Sequence, residues 1–171
     1  MIAASSASAF ERQHHFGLDG GVGMLKVGGK DSLSVGGGGG LHYTYGMTDA
    51  FDLMVEGCFM QVALEELPAK GIQSNRPTSF SNAGVGVSYV LDVLRWIPYG
   101  GVLLEGYSAN GGTVQGPSIA VGGAIALGLD YAFNRTFAMG IAFRQHFPFS
   151  KISDYPTYSQ LLLRVEIAWG Y

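Results

Sequence analysis

Charge is scarce in this 171-residue sequence: Asp, Glu, Lys and Arg together supply 13% of it, about half the share of roughly 25% usual for soluble proteins. A water-facing surface built from it would be short of ions. Cysteine is nearly absent. Cys58 stands alone, so no intramolecular disulfide can form, and we expect it to be a packing residue. There is no run of Lys or Arg and the net charge is -3, which excludes a nucleic-acid partner, since that needs a basic stripe facing phosphates. Also missing is any run of about 20 apolar residues; the most apolar segment, Ile119 to Leu129, is interrupted by Gly122, Gly123 and Gly128. A membrane-spanning helix is thereby excluded. The closed β-barrel is the other way to cross a bilayer with every backbone group paired.

What the sequence has in abundance is glycine, at 27 positions, scattered through apolar segments that alternate at period two. Such alternation is the mark of a strand with two different faces. Eight such segments are predicted near 14–26, 33–45, 51–62, 80–92, 98–109, 117–131, 136–147 and 158–171, each long enough for a tilted transmembrane strand of about 9–11 residues. Residues 14–171 thus form one barrel unit, and 1–13 read as a leader in which Ala7-Ser8-Ala9 resembles a signal-peptide cleavage motif. The connections alternate between tight turns (Gly46 to Ala50, Val93 to Ile97, Ala132 to Arg135) and longer loops (Val27 to Ser32, Ala63 to Ser79, Asn110 to Gly116, Pro148 to Thr157), the pattern of an up-and-down barrel. Lys26, Lys30, Lys70 and Lys151 fall at or in the longer loops.

Alternation alone does not separate a membrane barrel from a soluble lipocalin-like one, because each has one apolar face. The second face decides. Opposite Leu161, Leu163, Val165, Ile167 and Trp169 lie Gln160, Arg164, Glu166 and Gly170; opposite Ile119, Val121, Ile125, Leu127 and Leu129 lie Gly and Ala, with Asp130 at the end. Small residues with a few lone ions suit the cramped lumen of an eight-stranded barrel, which side chains only just fill. The bulky face is therefore expected to meet lipid. Aromatic girdles are expected at both interfaces: Tyr43, Tyr45, Phe51, Trp96, Tyr99, Tyr131, Phe133, Phe137, Trp169 and Tyr171 at the tight-turn end, and Phe59, Phe80, Phe147, Phe149, Tyr155 and Tyr158 at the other.

On these residues the chain resembles the small outer-membrane barrels of the OmpA, OmpX and OmpW type over residues about 14 to 171. The resemblance implies an all-β, transmembrane, antiparallel up-and-down barrel in the bacterial outer membrane. It also implies that the last strand, with Val165, Ile167, Trp169 and Tyr171 at alternate positions, is the signal read by the outer-membrane assembly machinery.

Asp19, Glu56, Glu105, Arg144, Arg164 and Glu166 all fall about five to seven residues from the tight-turn end on the inward face, so they are expected to meet at one level. Facing lipid, Arg would cost about 2–4 kcal/mol; turned inward, the ions need partners. Four acids against two arginines leave two negative charges in excess, and His42, also phased inward, is placed to donate to one of them. The network reads as a structural plug that fixes register, with a polar gate or a proton or cation path as the other reading. The expected role is structural, in envelope integrity or surface contacts, with the loop from Ala63 to Ser79 as contact surface. The alternative is a narrow channel for ions or small hydrophobic molecules, with a ligand place lined by Met60, Leu103 and Tyr107. Expected partners are outer-membrane lipid and lipopolysaccharide and the assembly machinery; a monomer without cofactor or metal is expected.

Other signals are weak. The Gly28-Gly29-Lys30-Asp31-Ser32 stretch departs from P-loop spacing and reads as a hairpin turn, and Gly36 to Gly40 as a strand whose missing side chains make room for neighbours. His14 and His15 are adjacent and point to opposite faces, a poor metal site. His146 and Ser150 lie toward the outer rim with no carboxylate beside them by spacing, so an enzyme is not expected.

Overall fold

The computed structural model describes residues 11–26, 33–63, 76–91, 93–114 and 116–170. Residues 1–10 of the expected leader at 1–13, the hairpin turn at 27–32, most of the long loop (64–75) and Tyr171 lie outside the described residues. Eight strands follow in order: β1 (His14–Lys26), β2 (Leu33–Gly46), β3 (Phe51–Val62), β4 (Ser79–Val90), β5 (Trp96–Asn110), β6 (Ser118–Ala132), β7 (Phe137–Phe147) and β8 (Thr157–Trp169). Each pairs antiparallel with the next, and β8 pairs with β1 to close the barrel. A 3₁₀ turn, Phe149–Lys151, precedes β8.

Strand positions match the period-two pattern to within about two residues. The largest difference is at β4–β5, where the hairpin tightens until Val93 pairs with Trp96. Pro98 is tolerated inside β5 because its carbonyl accepts from Leu91 N. In an antiparallel pair its missing N–H would face the same way, toward the Leu91 carbonyl, so one reciprocal bond is forgone, just beyond the end of β4 at Val90, where a proline is tolerated.

Burial is inverted relative to a soluble protein. Leu127 is 52% exposed and Ile167 54%, whereas Arg164 is 1% exposed and Glu56 9%. A soluble barrel would hide the first pair and wet the second. β8 shows the rule residue by residue, alternating exposed Leu161, Leu163, Val165, Ile167 and Trp169 with buried Leu162, Arg164, Glu166 and Ala168.

Two apolar clusters fill the lumen. One, at the long-loop end, contains Leu25, Met60, Phe80, Tyr107, Tyr155 and Tyr158; the other, nearer the tight turns, contains Met54, Val90, Tyr99, Leu103 and Ala126. This corrects part of the aromatic expectation. Phe80, Tyr155 and Tyr158 are buried inside instead of forming an outer girdle, and Tyr99 is buried inside instead of joining the inner one. The reason is parity: in its own strand each of Phe80, Tyr99 and Tyr158 has the phase of Asn82, Glu105 and Gln160 respectively, which face inward. Phe59 and Phe149 are exposed. At the tight-turn rim Trp96, Tyr131, Phe133 and Phe137 form a chain of ring contacts at 4.9, 5.1 and 5.6 Å, and Phe51 meets Tyr89 edge-on.

Candidate functional site

The polar lumen follows from strand register. Glu166, Gly17, His42, Glu56, Gly84 and Glu105 lie side by side across six strands, and Asp130, Gly140, Arg164, Asp19, Gly40, Cys58, Asn82 and Tyr107 form the next row. Strands in a closed barrel are tilted, so each row climbs as it runs round the wall. Residues equally far from their strand ends therefore need not face one another. The six expected charges fall into three groups instead of one.

The first group is centred on Arg164. Its Nε donates to Asp19 Oδ1 at 3.2 Å, and its Nη2 lies 3.1 Å from Glu166 Oε1. Nη1 donates to the Tyr99 hydroxyl, and Asp130 Oδ2 lies 4.0 Å from the same nitrogen. His42 closes the ring, donating from Nδ1 to Asp19 Oδ2 and from Nε2 to Glu166 Oε1, each at 2.8 Å. With both carboxylates ionised each ring nitrogen donates, and an imidazole that donates at both carries a charge. Gly17 makes this possible. It sits between His42 and Glu166 in register, and a methyl group there would overlap both the His42 ring and the Val165 carbonyl.

In the second group, Arg144 Nε donates to Glu56 Oε2 at 3.0 Å and Oε1 at 3.2 Å. Tyr99 joins the first two groups: its ring has the Arg164 guanidinium 5.1 Å and the Arg144 guanidinium 5.7 Å from its centroid. The ring lies over Gly128, where any side chain would collide with it.

In the third group, Glu105 meets neither arginine. It accepts from His146 Nδ1 at 2.6 Å, from the Tyr107 hydroxyl at 2.5 Å and from Asn82 Nδ2 at 3.1 Å. The chain continues from His146 Nε2 to Gln160 Oε1 at 3.0 Å, and from Gln160 Nε2 to the Tyr158 hydroxyl at 2.5 Å and Cys58 Sγ at 3.2 Å. Cys58 in turn donates to the Gly39 carbonyl at 3.3 Å.

Sequence spacing finds the six charges and His42 but not Tyr99, Asn82, Tyr107, His146 or Gln160 as their partners. Parity within each strand is the signal that would have located them, since all share the inward phase. His146 is fully buried, and the Ser150 hydroxyl accepts from Val121 N at 2.9 Å, so the two face different surroundings. Met60 and Tyr107 belong to the packed cluster at the long-loop end, and Leu103 to the lower one. His14 points outward, stacked on Trp169 and 2.7 Å from the Tyr43 hydroxyl, whereas His15 lies 3.4 Å from Glu166. Below the first group is a cavity of about 30 Å³ bordered by His15, Thr44, Asp52, Ser88 and Asp130, with room for roughly one or two water molecules.

Val165, Ile167 and Trp169 lie on the exposed outer face of β8. Comparison with curated proteins finds no match. Among solved structures the barrel is similar to the Neisserial surface protein A, NspA, at 13% identity, covering 90% of this chain and 96% of that one with a TM-score of 0.66. It is similar to the N-terminal barrel domain of OprF from Pseudomonas aeruginosa, at 13% identity, 93% and 98% coverage and a TM-score of 0.62. It is also similar to Ail, the attachment invasion locus protein of Yersinia pestis, at 15% identity, 94% and 100% coverage and a TM-score of 0.60. The model of the outer membrane protein beta-barrel domain matches residues 1–166. With an apolar outer wall, a closed eight-strand ladder and that match, the chain belongs to the outer membrane protein beta-barrel family, and its place is the bacterial outer membrane.

Proposed function

We propose that this barrel is a closed structural element of the outer membrane, holding its loops at the cell surface for envelope integrity or surface contacts and passing no solute through its bore. The observation that carries this reading is the layered filling of the lumen. Arg164 and Arg144 meet over Tyr99, the Glu105–His146–Gln160 chain lies above them, and Phe80, Tyr107, Tyr155 and Tyr158 pack at the long-loop end. A conduit would need the volume these side chains occupy. Buried ion pairs with good geometry resist rearrangement, because separating them strands a charge in a poorly solvated space.

Val165, Ile167 and Trp169 on the outer face of β8, with Tyr171 following in the sequence, serve in this reading as the sorting signal for barrel assembly, and the wall contacts lipid and lipopolysaccharide as a monomer. No catalytic role is assigned to His146, whose two ring nitrogens are engaged by Glu105 and Gln160. The experiment is single-channel recording in planar bilayers: the wild type is expected to show no stepwise conductance. Reproducible unit currents that Arg144→Ala or Arg164→Ala alters would overturn the proposal.

A further inference from the structure

The three tight turns differ in their chemistry. At β2–β3 the Thr48 hydroxyl accepts from Ala50 N and Phe51 N, at 3.3 and 3.0 Å. At β6–β7 Asn134 Oδ1 accepts from Thr136 N and Phe137 N, at 2.8 and 2.9 Å. These are polar side chains closing a turn on their own backbone, as such residues do. The β4–β5 turn, Val93 to Trp96, instead places Leu94 at a φ of 65°, a conformation that suits glycine or asparagine and that leucine adopts at a steric cost. Nothing within the barrel compensates, since Leu94 is 94% exposed. Beside it Leu91 and Val93 are exposed as well. These exposed residues adjoin Trp96, also exposed, which leads into the ring chain at the rim: it packs edge-on against Tyr131, and Arg95 Nη1 donates to the Tyr131 hydroxyl at 3.4 Å.

A residue that breaks the local rule of its turn without an internal contact points to a contact outside the chain. Continuity with the lipid-facing wall says which. Short turns lie on the periplasmic side of such barrels, so the patch borders the periplasmic leaflet. We propose that the β4–β5 hairpin tip is a membrane anchor: Leu91, Val93 and Leu94 enter the boundary between headgroups and acyl chains of that phospholipid leaflet, and Arg95 sits at lipid phosphate. Apolar side chains with a neighbouring cation bind interfaces by this combination. The tips of the other two turns, at Thr48 and Asn134, stay in water, with Met47 and Phe133 exposed only at their flanks. The anchor operates whether or not the bore conducts, so it stands or falls separately from the closed lumen.

The test uses the full chain with Cys58→Ser and Leu94→Cys, labelled with an environment-sensitive NBD dye and folded into phosphatidylethanolamine–phosphatidylglycerol vesicles. The same dye at Arg135→Cys, on the β6–β7 turn, is the reference. Nitroxide-bearing phospholipid is expected to quench the Leu94 probe about twofold more than the reference, with aqueous iodide giving the reverse order. Equal behaviour of the two probes overturns the proposal. So does a Leu94 probe shielded from iodide yet untouched by nitroxide lipid, the pattern of a contact with protein such as a second copy. A second variant, Leu94→Asn, fits the turn better than leucine does. Its urea midpoint in vesicles is expected to fall through loss of the lipid contact; a midpoint unchanged or raised overturns the anchor.

Discussion

Replacing Arg164 by methionine tests whether the lumen network holds the barrel together. Methionine keeps much of the volume and removes the fork. Arg164 is fully buried, bonds Asp19 at 3.2 Å, lies 3.1 Å from Glu166, and stacks on Tyr99. Without it His42 alone bridges Asp19 and Glu166 in that ring. Removing one partner of a buried pair typically costs about 3–5 kcal/mol, because the remaining charge is stranded. Loss of the stacked guanidinium adds about 0.5–2 kcal/mol. Arg164→Met should therefore lose at least about 3 kcal/mol, whereas Arg164→Lys, which keeps the charge but not the planar fork, should lose less. Unfolding and refolding in urea with lipid vesicles, followed by Trp96 and Trp169 fluorescence and by the heat-dependent shift on SDS gels, gives the numbers. The cycle with Asp19→Asn should show a coupling of about 1–3 kcal/mol, since the two residues are in contact. A variant within about 1 kcal/mol of the wild type, or a cycle without coupling, refutes the reasoning: the ions would then be packing residues that happen to be charged.

Gly17→Ala should destabilise by about 1–3 kcal/mol through overpacking against the His42 ring and the Val165 carbonyl, whereas Gly20→Ala, whose added methyl finds its nearest neighbour at 4.0 Å, should stay within about 0.5 kcal/mol; similar urea midpoints for the two would refute the account of the glycine. Leu127→Arg on the outer wall should cost about 2–4 kcal/mol in vesicles if it lies near the bilayer midplane, and a neutral result would mean that this face does not meet lipid. Glu105→Leu strands His146 and Asn82 as donors, at about 1–3 kcal/mol for each unsatisfied group, whereas the Tyr107 hydroxyl keeps the Gly123 carbonyl at 2.9 Å; thermal unfolding of the variant in detergent checks this, and an unchanged midpoint would show that the two donors find other acceptors.

How much could be read in advance differs between wall and lumen. Alternation in β8 and β6 is so regular that strand positions, face assignment and the inverted solvent preference follow from local sequence. The charged residues announce themselves by being rare: Arg144 and Arg164 cannot face acyl chains, so their side of the wall is settled one strand at a time. Their partners are less legible. Glu105 and Glu56 look equivalent by distance from a strand end, yet one meets His146 and the other Arg144, because tilt and closure decide which inward residues share a height. Tyr99 and Phe80 look like girdle rings by position and are lumen fillers by parity.

The amino-acid order alone thus determined that this chain crosses a membrane with strands and which face of each strand meets lipid, because both depend on the period-two pattern within single segments. Only the closed barrel decided who pairs with whom inside it. A contact such as His42 reaching over Gly17 to Glu166 joins residues far apart in the chain, and register and strand tilt, which no single segment encodes, bring them together.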